Sequence, residues 1–139
     1  MTTNPYDAGT DWQVVGRTWK VDGDTVRILR CRDVIVADGM RARIYDDPAW
    51  FPRGQAVRIV NLDTPEHGQP GWQQAGDELT AWLAAAGDDL MVTTWGMSGG
   101  FDRLLGDFWI AGDRNNTATR WMLTEGNGGK GWLPYVKGA

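Results

Sequence analysis

Asp63 and Glu66 stand three residues apart across Thr64-Pro65, and Arg58 precedes Asp63 by five residues. Pro65 fixes its own φ near about −65° and drives Thr64 out of the helical region, so the backbone must turn between the two acids. Residues 58–62 read as a buried strand leading into that corner. Two carboxylates at a rigid strand end, with a guanidinium close by, carry the charges needed to hold a phosphate and a divalent cation. A plain turn with an acidic N-cap uses the same residues. What favours chemistry is a second stretch, Asp22-Gly23-Asp24-Thr25, a turn between two strand-like runs.

Asp24 and Asp63 both lie at strand ends beside turns, so pairing of their strands would let the carboxylates converge. The chain has one cysteine and one histidine. Thiolate clusters and multi-histidine zinc sites are therefore excluded, and a Ser-His-Asp site would have to use His67, where no nucleophile elbow exists. Hard oxygen donors favour Ca²⁺, with the Thr64 carbonyl and waters completing its shell; Mg²⁺, which demands a stricter octahedron, is the second choice. Asp22 either supports such a cation from behind by holding waters or merely shapes the turn. His67 either tunes pH dependence beside Glu66 or is an exposed loop residue.

The elements that must position these groups follow from periodicity. Residues 12–21 and 25–29 read as two strands around the Asp22–Asp24 turn. Residues 34–36 and 40–45 read as an extra hairpin, and residues 55–62 as the third main strand. Leu79, Trp82, Leu83 and Ala86 recur at helical spacing, which predicts a helix over 72–86 capped by Gly87. Strands follow over 90–95 and 104–110, a short helix over 119–125, and an apolar segment, 132–136, that packs back. The order predicts an α+β, mainly β domain: a five-stranded OB-fold barrel carrying one long and one short helix. Residues 1–11 read as a loose arm, 12–139 as the single domain, and about 30–55 as an insertion for substrate or partner contact.

The net charge of −4 over 139 residues is unlike that of a generic polyanion binder. Its distribution is uneven: nine Lys or Arg residues run from Arg17 to Arg58 against six acids, and none lies between Arg58 and Arg103, where seven acids gather. A polyanion is expected at the first face, with a cation offsetting the acids at the junction. No apolar run approaches the ~20 residues of a membrane span, and residues 1–11 contain no apolar leader core. The expectation is a cytoplasmic protein without membrane contact, with export or a phage origin and the oligomeric state left open.

Residues 21–26 (Val-Asp-Gly-Asp-Thr-Val), then Arg58 through Asp63-Thr64-Pro65-Glu66, then Arg103-Leu104-Leu105-Gly106-Asp107 are similar, in this order, to staphylococcal nuclease-like (thermonuclease) domains over residues 12–136. The resemblance implies an OB fold and calcium-dependent hydrolysis of DNA and RNA to 3′-phosphate products. It implies calcium on Asp24, Asp63 and the Thr64 main-chain oxygen, with Glu66 either deprotonating or positioning the attacking water. Arg58 and Arg103 resemble the pair that grips the scissile phosphate. Phe101 and Asp102 depart from the family's usual Tyr-Gly before that arginine. Trp72 and Tyr135 are the residues read as base-stacking platforms. Two other classes compete: a non-catalytic OB module binding single-stranded nucleic acid or a protein, and an assembly protein using the acidic face and inserted hairpin.

Overall fold

In the computed structural model, residues 10–16, 18–28, 31–37, 39–45, 55–97 and 103–135 are described. The chain begins as one long antiparallel hairpin broken midway. Strands β1 (Thr10–Val14) and β2 (Thr18–Asp22) form one arm, and β3 (Thr25–Ile28) and β4 (Cys31–Ala37) the other. Trp12 pairs with Asp33 and Val14 with Cys31, then Thr18 with Ile28 and Lys20 with Val26. The register slips by one residue across the break, where Gly16 takes a φ of 77°. That bend lets the two halves serve different neighbours: β1 pairs with β7, and β3 pairs with β6.

The inserted hairpin is β4 with β5 (Gly39–Tyr45), paired residue for residue from Cys31–Tyr45 to Ala37–Gly39. Strand β6 (Gln55–Ile59) leads into the acidic corner, after which α1 (Trp72–Ala86) crosses back to β7 (Leu90–Met97). Strand β8 (Arg103–Ile110) inserts between β6 and β7, parallel to β6 and antiparallel to β7. Strand β9 (Asp113–Thr117) pairs with β8, and α2 (Ala118–Thr124) follows. The sheet order is β2-β3-β6-β8-β7-β1-β4-β5, with β9 off this path. The architecture is α+β and mainly β.

The core lies between sheet and helices. Val26, Val57, Ile59, Val92 and Phe108 from the sheet, with Leu62 from the corner after β6, meet Leu79 and Leu83 of α1 and Met122 of α2, and most are fully buried. The face predicted for α1 is the one buried, with Trp82 and Ala86 packed at its margin. The third main strand ends at Ile59 and not at Leu62, because Asn61 adopts a left-handed φ of 60° and turns the chain before Asp63. Strand β9 has no signal in the sequence, because its residues are all polar. The first strand starts at Thr10, inside the expected arm, while residues 1–9 and 46–54, including part of the insertion, lie outside the described residues. Among the described residues no helix is long and apolar enough to cross a membrane.

Candidate active site

The Asp22–Thr25 turn and the 58–66 corner meet. Asp22 Oδ1 accepts the Asp24 N–H at 3.1 Å, which tightens the turn and aims Asp24 forward. Asp24 Oδ2 then accepts the Thr64 N–H at 3.3 Å and lies 3.6 Å from Arg58 Nη2. Its Oδ1 takes the Thr25 hydroxyl at 3.3 Å. The backbones lock as well, since Ile59 N–H donates to the Asp24 carbonyl at 2.7 Å. Gly23 makes this approach possible: a Cβ there would sit 2.7 Å from Thr64 Oγ1 and 2.8 Å from the Ala75 methyl. The two motifs singled out in the sequence are thus one place in the fold.

Arg58 is half-buried and held from three sides. Nη1 donates to the Ile59 carbonyl at 2.6 Å, Nη2 faces Asp24, and the guanidinium carbon lies 5.7 Å from the Tyr135 ring centre. Tyr135 is itself fixed by its N–H to the Asn61 carbonyl, and the residue is 53% exposed. Arg103 opens β8 beside Ala56, in the parallel ladder that sets Leu105 beside Arg58. Asp63 is exposed, and its N–H donates to the Leu133 carbonyl at 2.9 Å. Glu66 is exposed on the following turn, closed by Gln69, whose Oε1 accepts the Glu66 N–H at 2.8 Å.

Thr64 is buried, and its Oγ1 has no hydrogen-bond partner among the described residues. Asp22 is half-buried, and burial, reinforced by the neighbouring Asp24, pushes its carboxyl up to about 6. A cation at this point would relieve that cost. Asp24, Asp63 and the Thr64 backbone offer oxygen donors only, the set that suits a hard divalent ion. Among the described residues no group of three or more His, Cys, Asp or Glu side chains is gathered closely enough to hold a metal. An ion here would depend on two carboxylates, main-chain oxygen and water.

Asp63, Thr64, Pro65, Glu66, Gln69 and Pro70 form one wall of a hollow of about 620 Å³; Asn127, Gly131, Trp132 and Leu133 form the other. The second wall went unrecognised in the sequence beyond the expectation that 132–136 packs back. It is pinned by Glu78 of α1, which accepts Trp132 Nε1 at 2.7 Å and the Asn127 N–H at 2.9 Å. Trp72 starts α1 with its ring edge-on to His67, centres 4.3 Å apart, and is not among the described residues lining the hollow. No protein-family model matches the chain, and no characterised protein matches it in sequence.

Proposed function

We propose that the chain is a calcium-dependent phosphodiesterase of the staphylococcal nuclease-like class, acting on DNA and RNA with little base specificity. The observation that carries this reading is the contact of Asp24 with Thr64 and Arg58, which unites two motifs forty residues apart. An OB-type barrel is supported by β1 and β2 acting as two halves of one bent strand, with only residues 15–17 between them. In a barrel reading, the open path β2-β3-β6-β8-β7-β1 would close through the short link between β1 and β2.

In this reading Arg58 and Arg103 hold the non-bridging phosphate oxygens, and Asp24, Asp63 and the Thr64 carbonyl hold the ion. Bound calcium supplies positive charge against the phosphate as negative charge builds on it. Glu66 takes or aligns a proton of the attacking water. The water oxygen bonds to phosphorus, the bond to the 5′ oxygen breaks, and that oxygen takes up a proton from solvent as it leaves, so the phosphate stays on the 3′ side. Tyr135 offers a stacking face next to the gripped phosphate.

A second reading, a non-catalytic module binding single-stranded nucleic acid or a protein, is favoured by one feature: Arg58 is engaged by the protein's own Asp24. Digestion of plasmid and single-stranded RNA with calcium, with EDTA, and by Glu66→Ala in calcium separates the two. Cleavage only by the unmodified chain with calcium supports the hydrolase. Equal degradation in all three overturns the mechanism, and binding without any cleavage supports the module.

A further inference from the structure

The hollow beside Glu66 shares Thr64 with the Asp24–Arg58 contact, and its chemistry is unlike that of a phosphate site. Among the described residues lining it none is Lys or Arg, while Asp63 and Glu66 both face it. Without a bound cation a phosphate is repelled there, whereas a group that donates hydrogen bonds is attracted. Pro65, Pro70, Trp132 and Leu133 add flat and apolar surface to the wall, beside the polar Thr64, Gln69 and Asn127. Leu133 is 69% exposed, the most exposed large apolar side chain among the described residues. The wall is also built in advance, because Glu78 fixes Trp132 and Asn127, and the Leu133 carbonyl binds the Asp63 amide. Flat apolar surface, acceptor oxygens and adjacency to a phosphate grip describe a nucleobase.

We propose that this hollow is a subsite for one unpaired nucleobase flanking the gripped phosphate, favouring adenine and cytosine over thymine and uracil. These bases present an amino group where thymine and uracil present a carbonyl oxygen, which carboxylates repel. In a duplex the base is stacked between its neighbours and cannot enter a hollow, so the subsite reads single strands, whose bases can be splayed out. This rests on the phosphodiesterase reading and adds a base preference to it.

The test measures binding of fluorescein-labelled eight-nucleotide dA, dC and dT oligomers to the whole chain by anisotropy in EDTA, where hydrolysis is off. Oligo(dC) is the decisive comparison with oligo(dT), because both are single-ring bases that differ at position 4, and an oligomer of 5-methyl-dC controls for thymine's methyl group. Oligo(dC) and oligo(dA) are expected to bind about fivefold more tightly than oligo(dT), the worth of one hydrogen bond. Leu133→Ser should weaken all three with the melting temperature unchanged, and Glu66→Gln, whose amide both donates and accepts, should erase most of the discrimination. Equal affinity for oligo(dC) and oligo(dT), or discrimination untouched by Glu66→Gln, overturns the subsite. Base selection without calcium-dependent cleavage sinks the hydrolase reading alone; cleavage without base selection sinks the subsite alone.

Discussion

Asp24 Oδ2 and the Thr64 amide nitrogen lie 3.3 Å apart. The contact joins a turn made early in the chain to a corner made after the insertion, and Gly23 permits it. Gly23→Ala should therefore act on the site through its neighbour. Its methyl would press on Thr64 Oγ1 and Ala75, so a loss of about 1–3 kcal/mol is expected, as for overpacking in a filled core. Thr64→Ser keeps the oxygen and Thr64→Ala removes it. The double variant Gly23→Ala/Thr64→Ala should recover part of the loss, and strict additivity in thermal unfolding would show that the two residues do not press on each other.

Arg58 separates binding from stability. Its contact with Asp24 at 3.6 Å is too long for a hydrogen bond, while its bond to the Ile59 carbonyl at 2.6 Å is short. Arg58→Met should cost about 1 kcal/mol of stability, the net worth of one hydrogen bond. Hydrolysis should fall by about 10²–10³, as for loss of one group that stabilises transition-state charge. A variant that unfolds in proportion to its lost activity would make Arg58 a structural ion-pair partner only.

Asp107 sits in β8 mostly out of water, and burial raises its carboxyl to about 6 against the opposing hydrogen bonds from Thr119. The folded value lies above the unfolded one of 3.8. Its contribution to stability is complete below the unfolded value and is lost as pH rises through the folded one. Between about pH 4 and 6, Asp107→Asn should flatten a downward slope in unfolding free energy. A slope identical in both proteins would place the cost elsewhere.

What sequence revealed of this fold depended on how local each signal was. The bounds of α1 are those that Leu79, Trp82, Leu83 and Ala86 predict, because burial on one face acts within a few turns. The inserted hairpin around Gly39 was legible from its turn for the same reason. Strand β9, with Asp113, Arg114, Asn115 and Asn116 exposed, carries no alternation. It is held by pairing with β8 and by Arg114, which stacks over Trp109 at 4.5 Å and grips Asp11 at 2.8 Å. Such contacts span up to 103 residues and leave no local trace. That the Asp22–Asp24 turn and the corner at Asp63 belong together is legible because each is a turn with an unusual composition, whereas the contact that joins them, Asp24 with the Thr64 amide, has no signal in the sequence. The hollow was not, since its two walls, 63–70 and 127–133, share no pattern.

Glu78 shows how far from the acidic corner the site is secured. Burial pulls its carboxyl upward, but hydrogen bonds from the Asn127 N–H, Trp132 Nε1 and Gln74 outweigh that and hold it below its ordinary range. The sign is opposite to that of Asp107: this contribution is present above the unfolded value and fades as pH falls through the lowered one. Glu78→Leu leaves the Trp132 and Asn127 donors without their acceptor, at a cost of about 1–3 kcal/mol. The consequence reaches the corner because Trp132 precedes Leu133, whose carbonyl holds the Asp63 amide, and Tyr135, whose ring lies beside Arg58. Glu78→Gln keeps an acceptor for one donor and should fall between the two. The expected signature is a rise in tryptophan accessibility to acrylamide, largest in Glu78→Leu, with hydrolysis reduced at temperatures where the variant is still folded. Unchanged quenching together with unchanged hydrolysis would mean that residues 131–135 stand without Glu78.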